Sequence, residues 1–533
     1  MTISRRTLLA GSSGLAAAAV AAGTVTPTAS RQAAAAPGGP SEHWQSVMLR
    51  IDRRGRLVYP RRDGFRLPDF GYAGYHHGER PLPDVPVRHT IDPVPGDNTA
   101  HIQAAVDHMG TLPLDADGFR GALLLTAGTY EIAGTVRQPH SGVVLRGVGD
   151  GEDPTTNTVL RPVGEPGDSR TAVIIGGGGT WTETGPRTDV VSDLVRVGDS
   201  SLAVADAGGL QVGQSILITH PCTQAWLDAV DGGGTADDDP WEVGDVPIVY
   251  GRRITAIDGN RITVDVPVFN DLDRRLSQSY VTGRGADGLA TEVGVEQLRI
   301  DIAYEGDPDT NVAQARSALE LLLVEDAWVQ GCTVAHFHLS GISVGDATRV
   351  TVRGCHSLRP VSALEGSSRY NFNAGRRAQQ VLFTDCHATH SRHAFVSNGI
   401  SLVSGIVFHR TTATASNTAS EGHRWWSQGL LFDNHREIDP VAGRTVSLYN
   451  RGDYGTGHGW SAAHSVAWNT DTAGTELTIQ RPPTAQNYAI GCHGDVTGDG
   501  PFTQPAGHIE GTGRPGLQPE SLYEAQLADR LRR

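Results

Sequence analysis

No lysine occurs among the 533 residues, so all 44 Lys+Arg positions are arginine. That absence excludes a Schiff-base lysine, a phosphate-loop lysine and a lysine general base. Fifty-nine acids bring the net charge to −15. An acidic chain without lysine is a poor match for a phosphate backbone, so no nucleic-acid partner is expected. Hydrophobic types reach 38% and charged types 19%, below the roughly 45–50% and about 25% of ordinary globular chains. A coiled coil or helical bundle needs dense Ala, Glu, Lys and Leu at helical spacing and is excluded. Apolar residues still recur along most of the chain, so it is not disordered, and its length allows a sizeable core. Cysteine is scarce: Cys222, Cys332, Cys355, Cys386 and Cys492 make an odd number, and none of them has metal-site spacing.

What is present begins with an address. Met1-Thr-Ile-Ser-Arg5-Arg6-Thr-Leu-Leu precedes a short Ala/Gly-rich stretch, and Ala34-Ala35-Ala36 offers a small-residue cleavage site. Paired arginines before a short apolar segment are the twin-arginine export pattern. The segment is too short and too rich in Gly and Ala for a membrane span, and no other run approaches that length. Residues 1–36 read as a signal peptide. Their removal leaves 41 arginines against 59 acids, a net charge of −18. The expectation is a secreted protein, exported folded and free of the membrane after cleavage.

Residues 97–109 predict a short helix capped by Asp97 or Asn98, with Ile102, Ala105, Val106 and Met109 on one face. Residues 121–130 and 143–148 predict short strands. Four later phrases align: Ala327-Trp-Val-Gln-Gly-Cys332, Val350-Thr-Val-Arg-Gly-Cys355, Val381-Leu-Phe-Thr-Asp-Cys386 and Ile406-Val-Phe-His-Arg-Thr411. Their final residues recur at intervals of 23, 31 and 25. A strand returning at such intervals predicts a β-solenoid. Cys332, Cys355, Cys386 and Thr411 would form an inward ladder of small side chains, stacked at the strand spacing of ~4.8 Å.

Gly96-Asp-Asn-Thr-Ala-His-Ile-Gln-Ala-Ala-Val-Asp107, Ala127-Gly-Thr-Tyr130 and Gly142-Val-Val-Leu-Arg-Gly147 resemble the pectate-lyase-like superfamily. The likeness covers about residues 90–160 and 290–495. It implies an all-β, single-stranded, right-handed parallel β-helix whose N-terminal end is plugged by the helix. The superfamily spans lyases, hydrolases, epimerases and phage adhesins, so the resemblance implies fold more than chemistry.

The expected organisation is an N-terminal extension packing on the solenoid (37–90), first coils with the capping helix (91–164), a small antiparallel β insertion (165–290), the main β-helix with its groove (291–500), and a tail with a helix (501–533). Within the insertion, Asp258-Gly-Asn260 reads as a hairpin turn. Asp237-Asp238-Asp239 has the composition of a calcium ligand run, but a solvated loop suits it better. No Asp cluster lies in the solenoid, so calcium is not supported and no cofactor or metal is expected.

Residues 385–495 hold nine of the 21 histidines and four of the nine tryptophans, with Arg392, Arg424, Arg436 and Arg451 interleaved. A solenoid brings distant polar residues into one groove. Aromatic rings stack on sugar faces, and arginine binds carboxylates bidentately. The partner is read as an anionic polysaccharide or oligosaccharide. Elimination from a uronic acid needs a base, a cation to steady the enediolate and an acid for the leaving oxygen. Hydrolysis needs two carboxylates ~5–9.5 Å apart, and the acids at hand are Glu421, Asp433, Glu437 and Asp453. Elimination is favoured over hydrolysis, and a non-catalytic glycan-binding β-helix is the third reading.

In the favoured reading, His393 or His458 is the base and the other its acid partner. Arg424 and Arg451, with Arg392, neutralise the substrate carboxylate. Asp433 orients a histidine or, under hydrolysis, acts as an acid. Asn398, Asn434 and Asn450 orient the sugar, His423 assists in binding, and Trp426 and Trp460 form subsites.

Overall fold

One backbone corner, repeated, explains the winding. In the computed structural model, which describes residues 43–532 apart from 166, 236–239 and 312–314, Val329, Val352, Phe383, Phe408 and Phe432 lie in parallel register on successive strands. The residues that end the same rows are followed by Gly331, Gly354, Asp385, Arg410, Asn434, Asn469 and Gly491, all at positive φ between 48° and 66°. Glycine, Asn and Asp tolerate that region best. Each corner turns the chain so that the next side chain points inward: Cys332, Cys355, Cys386, Thr411, His435, Thr470 and Cys492, every one at most 1% exposed. The expected ladder is present, and it is longer than the repeats suggested. Thr411 Oγ1 contacts His435 Nδ1 at 2.9 Å, and Cys492 continues the column.

The strands form a right-handed parallel β-helix of three ribbons. The first includes Val324–Gln330 and Thr348–Arg353, the second His356–Leu358 and His387–Thr389, the third Tyr370–Ala374 and His393–Ser397. The lumen is a continuous apolar core, including the stacked rings of Phe372 and Phe395, 5.0 Å apart. A helix, Thr99–Thr111, plugs one end and buries Ile102, Ala105, Val106 and Met109. Asp97 Oδ1 accepts from the Thr99 and Ala133 amides at 2.9 and 3.0 Å, tying the helix to the first coil.

Thr171–Ile175 still pairs within the third ribbon. The chain then leaves the solenoid for a six-stranded antiparallel sheet over Thr182–Gly285, whose Gly259-Asn260 turn joins the paired Asp258 and Arg261. This insertion shares a second core with Val407, Leu431 and Val466 on the outer face of the first ribbon. The N-terminal extension covers the same face: Gly74 N donates to Gln380 O at 3.0 Å and Tyr75 N to Thr351 Oγ1 at 2.9 Å. The C-terminal helix, Leu522–Leu531, holds that extension through Phe70 N and Gln526 Oε1 at 2.8 Å. The corner between the second and third ribbons remains open. The twin-arginine segment and Asp237–Asp239 lie outside the described residues.

Candidate functional site

Three of the nine histidines meet. His393 begins a third-ribbon strand, and His423 follows the neighbouring strand Ser420–Gly422. His458 comes from the loop after Arg444–Leu448. Their rings contact edge to face, His393 to His423 at 4.7 Å and His423 to His458 at 4.9 Å. Glu421 lies at the centre. Its Oε1 is 3.4 Å from His393 Nδ1 and 3.0 Å from His423 Nδ1, and it accepts from Arg451 Nη1. The same guanidinium reaches His423 Nδ1 at 2.6 Å. His393 Nδ1 donates to the Ala419 carbonyl at 2.7 Å, which leaves Nε2 without a proton. That Nε2 is buried and has no hydrogen-bond partner among the described residues.

Burial drives the titration. It holds His393 and His423 well below the usual imidazole range. It lowers His458 to about 4, helped by Arg451 and Arg424. All three rings are neutral at physiological pH.

A cleft of about 280 Å³ opens here, lined by Arg392, His393, Glu421, Arg444, Arg451 and Tyr454 among others. Glu421 is its one carboxylate among the described lining residues. Arg392 Nη1 donates to Tyr370 Oη at 3.3 Å, and Arg444 is held by Glu476. Tyr454 is 44% exposed and presents a ring at the rim.

The other expected site residues do not line the cleft. Arg424 is half-buried beside the histidines, its guanidinium 5.5 Å from the Trp425 ring. Asn398 follows the strand that His393 begins and does not line the cleft. Trp426 and Trp460 are fully buried. Trp426 Nε1 donates to Asn270 Oδ1 of the insertion at 3.0 Å, and Trp460 N to Gly233 O at 2.8 Å. No ring face is left for a sugar, so they are packing residues rather than subsites. Asn450 donates to Gly234 O at 2.8 Å and anchors the loop instead of facing substrate. Asp433 is wholly buried and accepts from Ser521 Oγ and Tyr523 N at 2.8 Å each. It caps the C-terminal helix, and Asn434 beside it forms a ladder corner. Both lie apart from the cleft.

Sequence reasoning counted Glu421 only as an acid for hydrolysis, and it missed Tyr370, Arg444 and Tyr454. The register could have revealed Tyr370, which pairs with His393.

The donor atoms of His393, Glu421 and His423 lie within 4.8 Å of one another, as those of a metal site do. Arg451 already bridges Glu421 and His423, and His393 Nδ1 is spent on a carbonyl. A cation there would displace a guanidinium, so the residues fit an anion better.

No protein-family model and no curated protein matches the sequence. Solved structures do. The Pseudomonas phage phi297 tailspike gp61 aligns at 13% identity and a TM-score of 0.42, over 79% of this chain and 75% of the tailspike. An alginate lyase from Paenibacillus sp. aligns at 9% and 0.38, over 80% and 99%. An iota-carrageenase complexed with iota-carrageenan fragments aligns at 9% and 0.34, over 78% and 61%. These neighbours do not single out the pectate-lyase-like superfamily. The likeness is one of winding, and the chemistry of the cleft rests on its own residues.

Proposed function

We propose that the cleft binds an acidic polysaccharide and cleaves it by β-elimination. The observation that carries this reading is a single carboxylate, Glu421, in a cleft bordered by Arg392, Arg444 and Arg451. Hydrolysis by the usual route needs a second carboxylate across the bond. Glu437 does not supply it: it is buried, accepts from Ser416 Oγ at 2.7 Å and contacts His435 Nε2 at 3.1 Å. Asp433 is committed to the C-terminal helix.

Arg392 and Arg451 hold the uronate carboxylate and favour the charge that develops when the adjacent carbon loses its proton. His393 Nε2, bare and neutral, takes that proton. Tyr454, at the rim, protonates the leaving oxygen. The electron pair of the broken C–H bond becomes the new double bond as the glycosidic C–O bond opens. An anion bound beside the depressed histidines raises their proton affinity, so substrate brings the base closer to its working range. With a twin-arginine start, such an enzyme would act outside the cell.

The test is incubation with a panel of uronate and neutral polysaccharides. Ultraviolet absorbance from an unsaturated uronide is expected, and its loss in His393→Ala. New reducing ends without that absorbance indicate a hydrolase, and binding without either indicates a glycan-binding protein. Both outcomes overturn the reading.

A further inference from the structure

The cleft is shut on one side. Its lining comes from three successive coils: Arg392 and His393 from the first, Glu421 from the second, Arg444 and Tyr454 from the third. The fourth coil brings Asp471–Ile479 alongside Arg444–Leu448, and none of its described residues reaches the cleft. An ion pair stands at that boundary. Arg444 Nε donates to Glu476 Oε1 at 2.9 Å across the two coils, and Thr478 Oγ1 donates to the same oxygen at 2.5 Å.

The loop that carries Tyr454 is braced on two sides. Asn450 Nδ2 donates to Gly234 O and Trp460 N to Gly233 O, both at 2.8 Å, which ties the loop to the insertion. Asn450 N donates to Gln480 Oε1 at 3.0 Å, and Gln480 Nε2 donates to Phe502 O at 2.9 Å, which ties it to the end of the solenoid. Phe502 lies between His493–Thr497 and His508–Glu510. Its ring meets that of Tyr454 edge to face at 5.1 Å, within the range where such pairs attract. A Cβ at Gly452, where φ is +50°, would come within 2.5 Å of the same ring, so ring and loop backbone are in close contact. Tyr454 is thus held at the rim by a residue that does not itself line the cleft.

At about 280 Å³ the cleft falls at the small end of ligand pockets, which run roughly 300–1,000 Å³. An internal stretch of polymer needs room to leave on both sides. A chain end needs one opening. We propose that the cleft seats a terminus of the acidic polysaccharide, with the Tyr454–Phe502 contact and the Arg444–Glu476 pair as the wall behind it, and that the enzyme is exo-acting. Phe502 is then a positioning residue that sets product size through Tyr454. The reaction is the elimination described above: the proton passes to His393, its electron pair enters the double bond and Tyr454 protonates the leaving oxygen. The bond broken lies at a fixed distance from the seated end. This rests on the function proposed above.

The experiment follows product sizes from polygalacturonate and polymannuronate by mass spectrometry, beside the viscosity of the polymer. A single short product from the first turnovers is expected, with viscosity falling slowly. A ladder of intermediate oligomers with an early collapse of viscosity overturns the wall. Phe502→Ala should raise the share of longer products several-fold, and Phe502→Leu, which keeps an apolar side chain there, should restore the single product. An unchanged product from Phe502→Ala overturns the part assigned to that ring. Binding keeps the wall and the chemistry apart. Affinity per molecule that is the same from tetramer to polymer supports a seated end, and where it comes without unsaturated product it overturns only the elimination chemistry. Affinity per molecule that grows with the number of residues in the chain, or no binding by any chain, overturns the seated end.

Discussion

Arg451 Nη1 stands 2.6 Å from His423 Nδ1, and that contact fixes where the His423 proton sits. A guanidinium does not give up its protons in a protein. His423 Nδ1 must accept, so Nε2 carries the hydrogen and faces Tyr370 Oη at 3.4 Å. Glu421 approaches the same Nδ1 only because the guanidinium lies against both. Arg451 is therefore the residue on which the cluster depends.

Arg451→Ala leaves Glu421 buried and uncompensated. The expected loss of stability is about 3–5 kcal/mol, the usual result of removing one partner of a buried pair. Arg451→Ala combined with Glu421→Gln should recover much of it, and turnover should stay lost in both. Denaturant unfolding of the two variants checks the sign. Equal stability of Arg451→Ala and the parent protein would sink the idea.

Acid should destabilise the fold. Burial lowers His220, His409 and His458 to about 4 and His464 to about 3, against 6.5 for an unperturbed histidine. Between those values the unfolded chain binds protons that the folded one refuses, so stability falls as pH drops from about 6.5 toward 4. Asp433 acts with the opposite sign. Burial raises it to about 7, so its contribution is lost as pH rises toward that value. Four groups outweigh one. Thermal unfolding should show a falling Tm on acidification, and His464→Phe, which removes a buried ring with no hydrogen-bond partner among the described residues, should flatten the slope. A Tm that climbs toward pH 4 contradicts this account.

The ladder corners give a separate test of backbone strain. Gly354 has φ +59°, and a Cβ added there would touch nothing within 4 Å. Any penalty is then conformational rather than steric. Gly354→Val should cost about 1–2 kcal/mol, whereas Gly354→Asn should be nearly neutral, since Asn469 occupies the equivalent corner with φ 49°. Equal Tm values for the two variants would argue against the corner.

These corners also explain what was legible in the sequence. The winding was readable because each coil repeats a strand, a left-handed residue and a small inward one, and cysteine at the last position stands out. His435 and Thr470 occupy that position too, but neither looks like cysteine, so His435 was counted with the groove. Asn434 reads as a polar ligand in sequence, and only its φ shows it to be a bend. Trp426 and Trp460 were misplaced because their burial depends on the insertion, whose docking face has no local signature. Glu421 was undervalued for a related reason. Its partners, His393 and Arg451, lie 28 and 30 residues away, and only the register brings them together.

The insertion holds the His458 loop at several points, through Asn450, Trp460 and the Gly457 carbonyl. Trp241 Nε1 donates to Gly457 O at 3.2 Å, and Trp425 Nε1 donates to the same oxygen at 3.0 Å. Gly457 immediately precedes His458. A side chain at Gly459 would strike Gly233 O at 2.3 Å, so insertion and loop are fitted to each other. Trp241→Phe keeps most of the buried ring and removes one N–H. Losing one such hydrogen bond costs about 1 kcal/mol. The Gly457 carbonyl then keeps only the Trp425 donor, and the loop that carries Tyr454 and His458 is held less firmly. The expected outcome is a several-fold fall in kcat with KM little changed, because the Arg392 end of the cleft is untouched. Trp425→Phe should do the same, and the double variant should lose more than either single change. A double variant that turns over like the parent protein would mean that the insertion covers the first ribbon without positioning the loop.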